Sequence, residues 1–194
     1  MKEKTLKVKF SFYPLSKERW KDFELLFGKR GACGGCWCMW WRIKRSEFNK
    51  QKGDGNKKAM KKIVNSGVVP GIIAYSDDIP VGWCAVQPRE SFPVLENSRI
   101  LKRIDSKSVW SIVCFFINKD FRRKGLSTEL IREAVKYAKK NGAEVVEGYP
   151  VEPPAGKSPD VFVYTGLSSA FRKAGFKEET RRSRTRPFMR YYIK

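Results

Sequence analysis

Leu6, Val8, Phe10 and Phe12 alternate with Lys7, Lys9 and Ser11, the period of two expected of a strand with one buried face. Pro14 is expected to end that strand. Ser16 then caps a helix in which Trp20, Phe23, Leu26 and Phe27 recur at helical spacing, with Gly28 near its end. The following GKRGACGGCWCMWWRIKR has neither period and reads as an irregular but packed segment. A lysine-rich turn leads into a short helix, with Met60, Ile63 and Val64 on one face and Gly67 after it. Residues 71–76 and 80–88 read as a hairpin joined across Ser76, Asp77 and Asp78. The nearly unbroken apolar run 109–117 predicts a strand covered on both faces. From Gly125 the period becomes helical, with Leu126, Leu130, Ile131, Ala134, Val135 and Ala138 in one stripe and Asn141-Gly142 as the stop. Residues 143–151 form a further expected strand, Leu167 to Lys173 a short helix stopped by Gly175, and FKEETRRS and RPFMRYYI two closing strands. This order predicts an α/β or α+β sheet with helices packed on it.

Composition narrows the chemistry. The chain has 194 residues, a length suited to one domain, with 41 Lys and Arg against 20 Asp and Glu, a net charge of +21. There is no histidine, which excludes Ser-His-Asp and Cys-His catalysis, HExxH metalloproteases and an imidazole base. Proton transfer then falls to carboxylates, Tyr, Cys, Lys or water. The charge favours polyanions: nucleic acid, an acidic membrane surface or a phosphorylated cofactor. Five cysteines, Cys33, Cys36, Cys38, Cys84 and Cys114, behind a charged start without an apolar signal segment, lead us to expect a reduced, cytoplasmic protein.

The most specific segment is Ile117-Asn118-Lys119-Asp120-Phe121-Arg122-Arg123-Lys124-Gly125-Leu126-Ser127. A strand runs out into a basic turn with glycine and directly into an amphipathic helix, so backbone N–H groups and the positive end of the helix dipole converge at one point suited to phosphate. The segment resembles the acetyl-CoA pyrophosphate loop of the GNAT superfamily of N-acetyltransferases, Arg/Gln-x-x-Gly-x-Gly/Ala, with Arg122, Gly125 and Ser127 at the matching positions. Leu167 to Phe176 resembles the family's later Tyr-x-Lys-x-Gly-Phe motif, with Phe171 where many members carry a tyrosine acid.

The resemblance spans residues 6–194 and implies one GNAT-like domain over 1–194. Its expected fold is a mixed twisted sheet of about six to seven strands with helices on both faces, and residues 28–67 shape the acceptor pocket. It implies acetyl-CoA as cosubstrate and transfer of acetyl to a primary amine by direct attack in a ternary complex. Cofactor contacts are expected from Phe115, Phe116 and Ile117 along the strand edge, from Arg122, Arg123, Lys124, Gly125, Leu126, Ser127 and Thr128 at the turn, and from Ser168. Glu147 is the first candidate base, with Glu152 next, and Tyr149 and Tyr164 are the candidate acids. Trp37, Trp40 and Trp41 are expected to line an apolar or cation-holding wall for the amine.

Other patterns carry less. Cys33-x2-Cys36-x-Cys38 lacks the paired spacing and fourth ligand of a zinc site, so no metal is expected. Gly156-Lys157-Ser158 lacks the upstream glycine of a phosphate loop. The basic runs Arg42–Arg45, Lys57–Lys62 and Arg181–Arg190 read as solvated surface. The competing class is a basic nucleic-acid-binding module, or a protein of this fold that binds CoA without catalysis. A homodimer and the identity of the acceptor both stay open.

Overall fold

The computed structural model describes residues 9–153, 159 and 162–194. The expected strand positions Leu6 and Val8, and the Gly156-Lys157-Ser158 segment, lie outside them. Chain order gives β1 (Ser11–Pro14), α1 (Trp20–Phe27), α2 (Arg45–Lys50), α3 (Asp54–Asn65), β2 (Gly71–Ser76), β3 (Ile79–Pro88) and β4 (Trp110–Ile117). There follow α4 (Leu126–Lys140), β5 (Val145–Gly148), α5 (Ser168–Lys173), β6 (Lys177–Arg181) and β7 (Pro187–Tyr192). They build a seven-stranded mixed sheet in the order β1-β2-β3-β4-β5-β7-β6, antiparallel except where β4 and β5 pair in parallel.

Each face of the sheet carries its own core. Ile73, Tyr75, Trp83, Ala85 and Val113 pack against Trp20, Phe23 and Phe27 of α1 and Met60 and Val64 of α3. On the opposite face Ile72, Ala74, Cys84, Ile112 and Val146 meet the Leu126, Leu130, Ile131, Ala134 and Ala138 stripe of α4 and Ala170 and Phe171 of α5. The β2–β3 turn is closed by Asp77 (φ 47°) and Asp78 (φ 63°), both left-handed, as the tight hairpin requires.

Three local expectations change. Pro14 lies within β1, opposite Ile72, which is tolerated because β1 is an edge strand. The residue preceding α1 is Arg19, without a side-chain cap, in place of Ser16. Helix α2 went unread because six residues with Phe48 as their one buried anchor carry no period.

Two features of β4 create a cleft. Between Ala85↔Cys114 and Val86↔Ile112 a bulge inserts Val113, so Val113 and Cys114 both face the α1–α3 side. Phe115 returns to the α4–α5 side. The β4–β5 ladder consists only of Trp110↔Val146, Ser111↔Glu147 and Ile112↔Gly148, after which the strands part. Phe171 occupies the space beside the last pair: a Cβ at Gly148 would lie 2.1 Å from its ring. Gly148→Ala is therefore expected to destabilise the fold by about 1–3 kcal/mol through overpacking, read as a lower urea midpoint at unchanged slope.

Candidate active site

At the β4–α4 junction the chain turns through Arg123 (φ 60°) and Gly125 (φ 83°) before entering the helix. Among the described residues, the backbone N–H groups of Arg123, Lys124, Gly125, Leu126 and Ser127 have no acceptor, while Thr128 donates to the Gly125 carbonyl at 3.0 Å. Five successive N–H groups at the positive end of a 15-residue helix make a concave anion seat. An added Cβ at Gly125 would touch nothing within 4 Å, so the glycine answers to its left-handed backbone angle and not to packing. Leu126 is buried beneath the turn and anchors it. Arg122 donates from Nε to the Ile117 carbonyl at 3.0 Å, tying the turn to the end of β4.

Beyond the bulge, backbone groups alternate between β3 and the open side. Phe115 N–H points outward, where the Tyr164 carbonyl accepts it at 2.6 Å, and Asn118 N–H points inward to Val81. By the same alternation the backbone groups of Phe116 face β3, so Phe116 cannot offer them to a cofactor as expected. Phe115 C=O and Ile117 N–H remain as one outward acceptor and one outward donor.

Glu147 and Tyr149 are not open to this cleft. Glu147 is 1% exposed and receives Arg190 Nε at 2.8 Å, Arg190 Nη2 at 2.6 Å, Arg89 Nη1 at 3.2 Å and the Tyr149 hydroxyl at 2.7 Å. The Tyr149 hydroxyl also meets Ser111 Oγ at 2.8 Å, and burial beside Glu147 raises its pKa well above the ordinary phenol value. Arg89 continues to Glu96 at 2.7 Å and to the Leu101 carbonyl at 2.7 Å, and Arg190 to Asp105 at 2.8 Å. This closed network pins the 89–105 loop onto the sheet. It leaves Glu147 no lone pair for a substrate proton and Tyr149 no path to a leaving thiolate. Arg190, read as surface charge, is a buried counter-ion, and Arg42 of another basic run is buried as well.

The second candidate base is also engaged. Glu152 accepts Arg172 at 2.7 Å, Arg181 and Ser168 Oγ at 3.1 Å. Ser168, expected at the cofactor, is buried in this contact. Hydrogen bonds from Arg172 and Arg181 lower the Glu152 pKa to about 2, and one from Arg190 does the same for Asp105. Both folded values lie below the unfolded ones, so their stabilisation is present above about pH 4 and disappears as pH falls towards 2. Melting temperature is expected to drop across that window, and less so in Asp105→Asn.

Among the aromatic candidates Trp37 is core, stacked on Phe27 with centroids 5.7 Å apart. Trp40 carries the Arg45 guanidinium over its ring at 3.5 Å and packs edge-on to Phe48. Trp41 stacks on Tyr164 at 6.5 Å. Burial raises the Tyr164 pKa, and Trp40, Cys114, Arg45 and Arg186 act on its hydroxyl. Trp40, Trp41, Tyr164 and Cys114 thus gather at the outward edge of β4. Phe171, buried, packs edge-on to Phe115 with centroids 6.0 Å apart and carries no acid.

The sequence reading missed Arg89, Arg190, Ser111 and Asp105 as partners of Glu147. A strand alternating Glu147 and Tyr149 among buried positions was the one available signal that a buried cation must face it.

Comparison with known proteins agrees with this geometry. Residues 37–154, more than half of the chain, match the model of the acetyltransferase (GNAT) family. An uncharacterized N-acetyltransferase of Methanocaldococcus jannaschii is 40% identical over 47 residues, a match covering 24% of this chain and 21% of that protein. The PaiA N-acetyltransferase of Thermoplasma acidophilum, solved with coenzyme A, superposes with TM-score 0.54 at 16% identity, over 95% of this chain and 99% of its own. An arylalkylamine N-acetyltransferase 7, putative by its own description, from the mosquito Aedes aegypti gives 0.57 at 12% identity, over 96% and 89%. Family model, sheet order and strand-to-helix turn agree: the chain belongs to the GNAT family of acetyltransferases.

Proposed function

We propose that this protein transfers the acetyl group of acetyl-CoA to a primary amine by direct attack in a ternary complex. The observation that carries the proposal is the row of five N–H groups from Arg123 to Ser127 that find no acceptor among the described residues, continuous with the outward edge of β4. In this reading the turn seats the pyrophosphate, with Arg122, Arg123 and Lys124 adding charge. Phe115 C=O and Ile117 N–H pair with a pantetheine amide. The Tyr164 carbonyl withdraws from Phe115 N–H as the thioester enters, leaving that donor for the charge that develops on the acetyl oxygen.

Trp40 and Trp41 form the acceptor wall. Tyr164, protonated because burial disfavours its phenolate, donates to the departing CoA sulfur. Tyr164→Phe is expected to lower kcat about 100-fold with the acetyl-CoA KM little changed, because a missing acid is felt in the transition state.

Isothermal titration with acetyl-CoA, followed by CoA-thiol release against a panel of amines, tests the proposal. Saturable binding and amine-dependent thiol release are expected. No binding at high micromolar cofactor, together with duplex DNA or RNA binding of steep salt dependence, would replace this function with nucleic-acid binding.

A further inference from the structure

Arg89 and Arg190, enclosed in the fold, are met by the chain's own carboxylates, Glu96, Glu147 and Asp105. Arg186 is not. It is half-buried just before β7 and donates from Nη1 to Thr165 Oγ1 at 2.7 Å and to the Tyr149 carbonyl at 3.5 Å, both neutral acceptors. Among the described residues it meets no carboxylate, and its Nε and Nη2 find no acceptor. Those two groups form the parallel fork that a carboxylate or a phosphate fits. Burial lowers the Arg186 pKa, whereas the bonds to Asp105 and Glu147 raise that of Arg190, so Arg186 is the guanidinium left without a negative charge.

Arg186 stands at the acceptor end of the cleft. Thr165, its partner, follows Tyr164, whose carbonyl accepts Phe115 N–H at 2.6 Å and whose ring stacks on Trp41 with centroids 6.5 Å apart. The Trp41 indole N–H is buried and has no acceptor among the described residues, a state that is costly unless something else accepts it. Next along the chain, Arg45 holds its guanidinium 3.5 Å from the centre of the Trp40 ring and, exposed, meets no carboxylate among the described residues. Arg45 and Arg186 both act on the Tyr164 hydroxyl. The carboxylates considered as bases are already taken, Glu147 by Arg89 and Arg190 and Glu152 by Arg172 and Arg181. Two guanidinium groups and an indole N–H thus surround the expected thioester position without a carboxylate of the described chain to balance them.

We propose that the acceptor is an amine that carries its own oxyanion, a carboxylate or phosphate seated on the open fork of Arg186 with Arg45 and the Trp41 N–H beside it. The inference rests on the acetyltransferase reading and narrows its substrate from any primary amine to an acidic one. Thr165 and Tyr164 are consecutive, so the seat lies roughly one residue, about 4 Å along the chain, from the group that marks the thioester. That spacing suits a compact acceptor whose amine and oxyanion are a few bonds apart. Polycationic amines are disfavoured by the same two arginines and by the net charge of +21.

Matched amines test the proposal: phenylalanine against phenethylamine, phosphoethanolamine against ethanolamine, and spermidine as the polycation. Calorimetry on the CoA-saturated protein reads acceptor binding without turnover, and CoA-thiol release reads kcat/KM. In at least one pair the acid is expected to bind, and to be acetylated, about 30-fold better than its partner, the effect of charge-assisted hydrogen bonds at a half-buried guanidinium. A response in the first pair identifies a carboxylate seat, and in the second a phosphate seat. Arg186→Gln should erase the preference by raising the acceptor KM while acetyl-CoA affinity is kept. Arg45→Gln, at an exposed position, should reduce the preference about 3-fold and keeps the test readable if Arg186→Gln melts early. Equal or undetectable binding of both members of both pairs, or spermidine acetylated as well as the acids, would overturn the proposal. So would an undiminished preference in an Arg186→Gln variant of normal melting temperature. Absence of acetyl-CoA binding in the wild type would instead sink the acetyltransferase reading itself.

Discussion

Replacing Glu147 by glutamine is expected to cost about 3–5 kcal/mol of folding stability, a fall in melting temperature of roughly 10 °C for a chain of this size. The amide removes the one negative charge shared by Arg89 and Arg190, both buried, and leaves two guanidinium groups away from water with only Glu96 and Asp105 at their outer ends. Tyr149→Phe removes a hydroxyl shared with Glu147 and Ser111 and is expected to cost about 1–2 kcal/mol. Because the network pins the 89–105 loop, both losses should appear in thermal melts in the absence of cofactor. Acetyl transfer per folded molecule should be largely retained in Glu147→Gln at a temperature below its transition. A folded, thermally normal Glu147→Gln variant without activity would return Glu147 to the role of base.

The second large effect is expected at the turn. Gly125→Glu should weaken acetyl-CoA binding at least about 100-fold in calorimetry, while Gly125→Ala should weaken it far less. Both variants strain a backbone at φ 83°, which costs about 1–2 kcal/mol of stability for a residue with a Cβ. Neither meets neighbouring atoms at the Cβ itself, so both should fold. The difference between them isolates a carboxylate set among N–H groups and the helix dipole, where it competes with and repels a pyrophosphate. Equal affinities for the two variants would mean that phosphate is bound elsewhere.

Much of the architecture was legible because it rests on local signals. The hairpin over 71–88 followed from two β-rich runs around Asp77-Asp78, and β4 from its apolar run. Helix α4 was marked by its stripe and by Gly125. The anion seat was legible for the same reason, since a strand, a glycine turn and a helix stripe in succession fix where N–H groups converge. Glu147 was misjudged because alternation places a side chain on a face without saying what covers it. Its covering arginines come from positions 89 and 190, far away in the chain. Trp37, Trp40 and Trp41 looked equivalent in a segment without period, yet the irregular turn around Gly31–Gly35 sends the first into the core and the other two towards the cleft.

The sequence by itself determined the class of fold, the glycine turn from strand into helix and the exclusion of histidine chemistry, because each is a matter of residue type over a few neighbouring positions. Tertiary structure decided the rest. The parting of β4 from β5 and the Val113 bulge opened the edge and turned Cys114 to the α1–α3 face of the sheet. Long-range packing enclosed Glu147 between two arginines and buried Arg42 against Gln87 and the Phe92 ring. Those outcomes depend on charges and strand registers brought together from distant parts of the chain, and no local pattern encodes them.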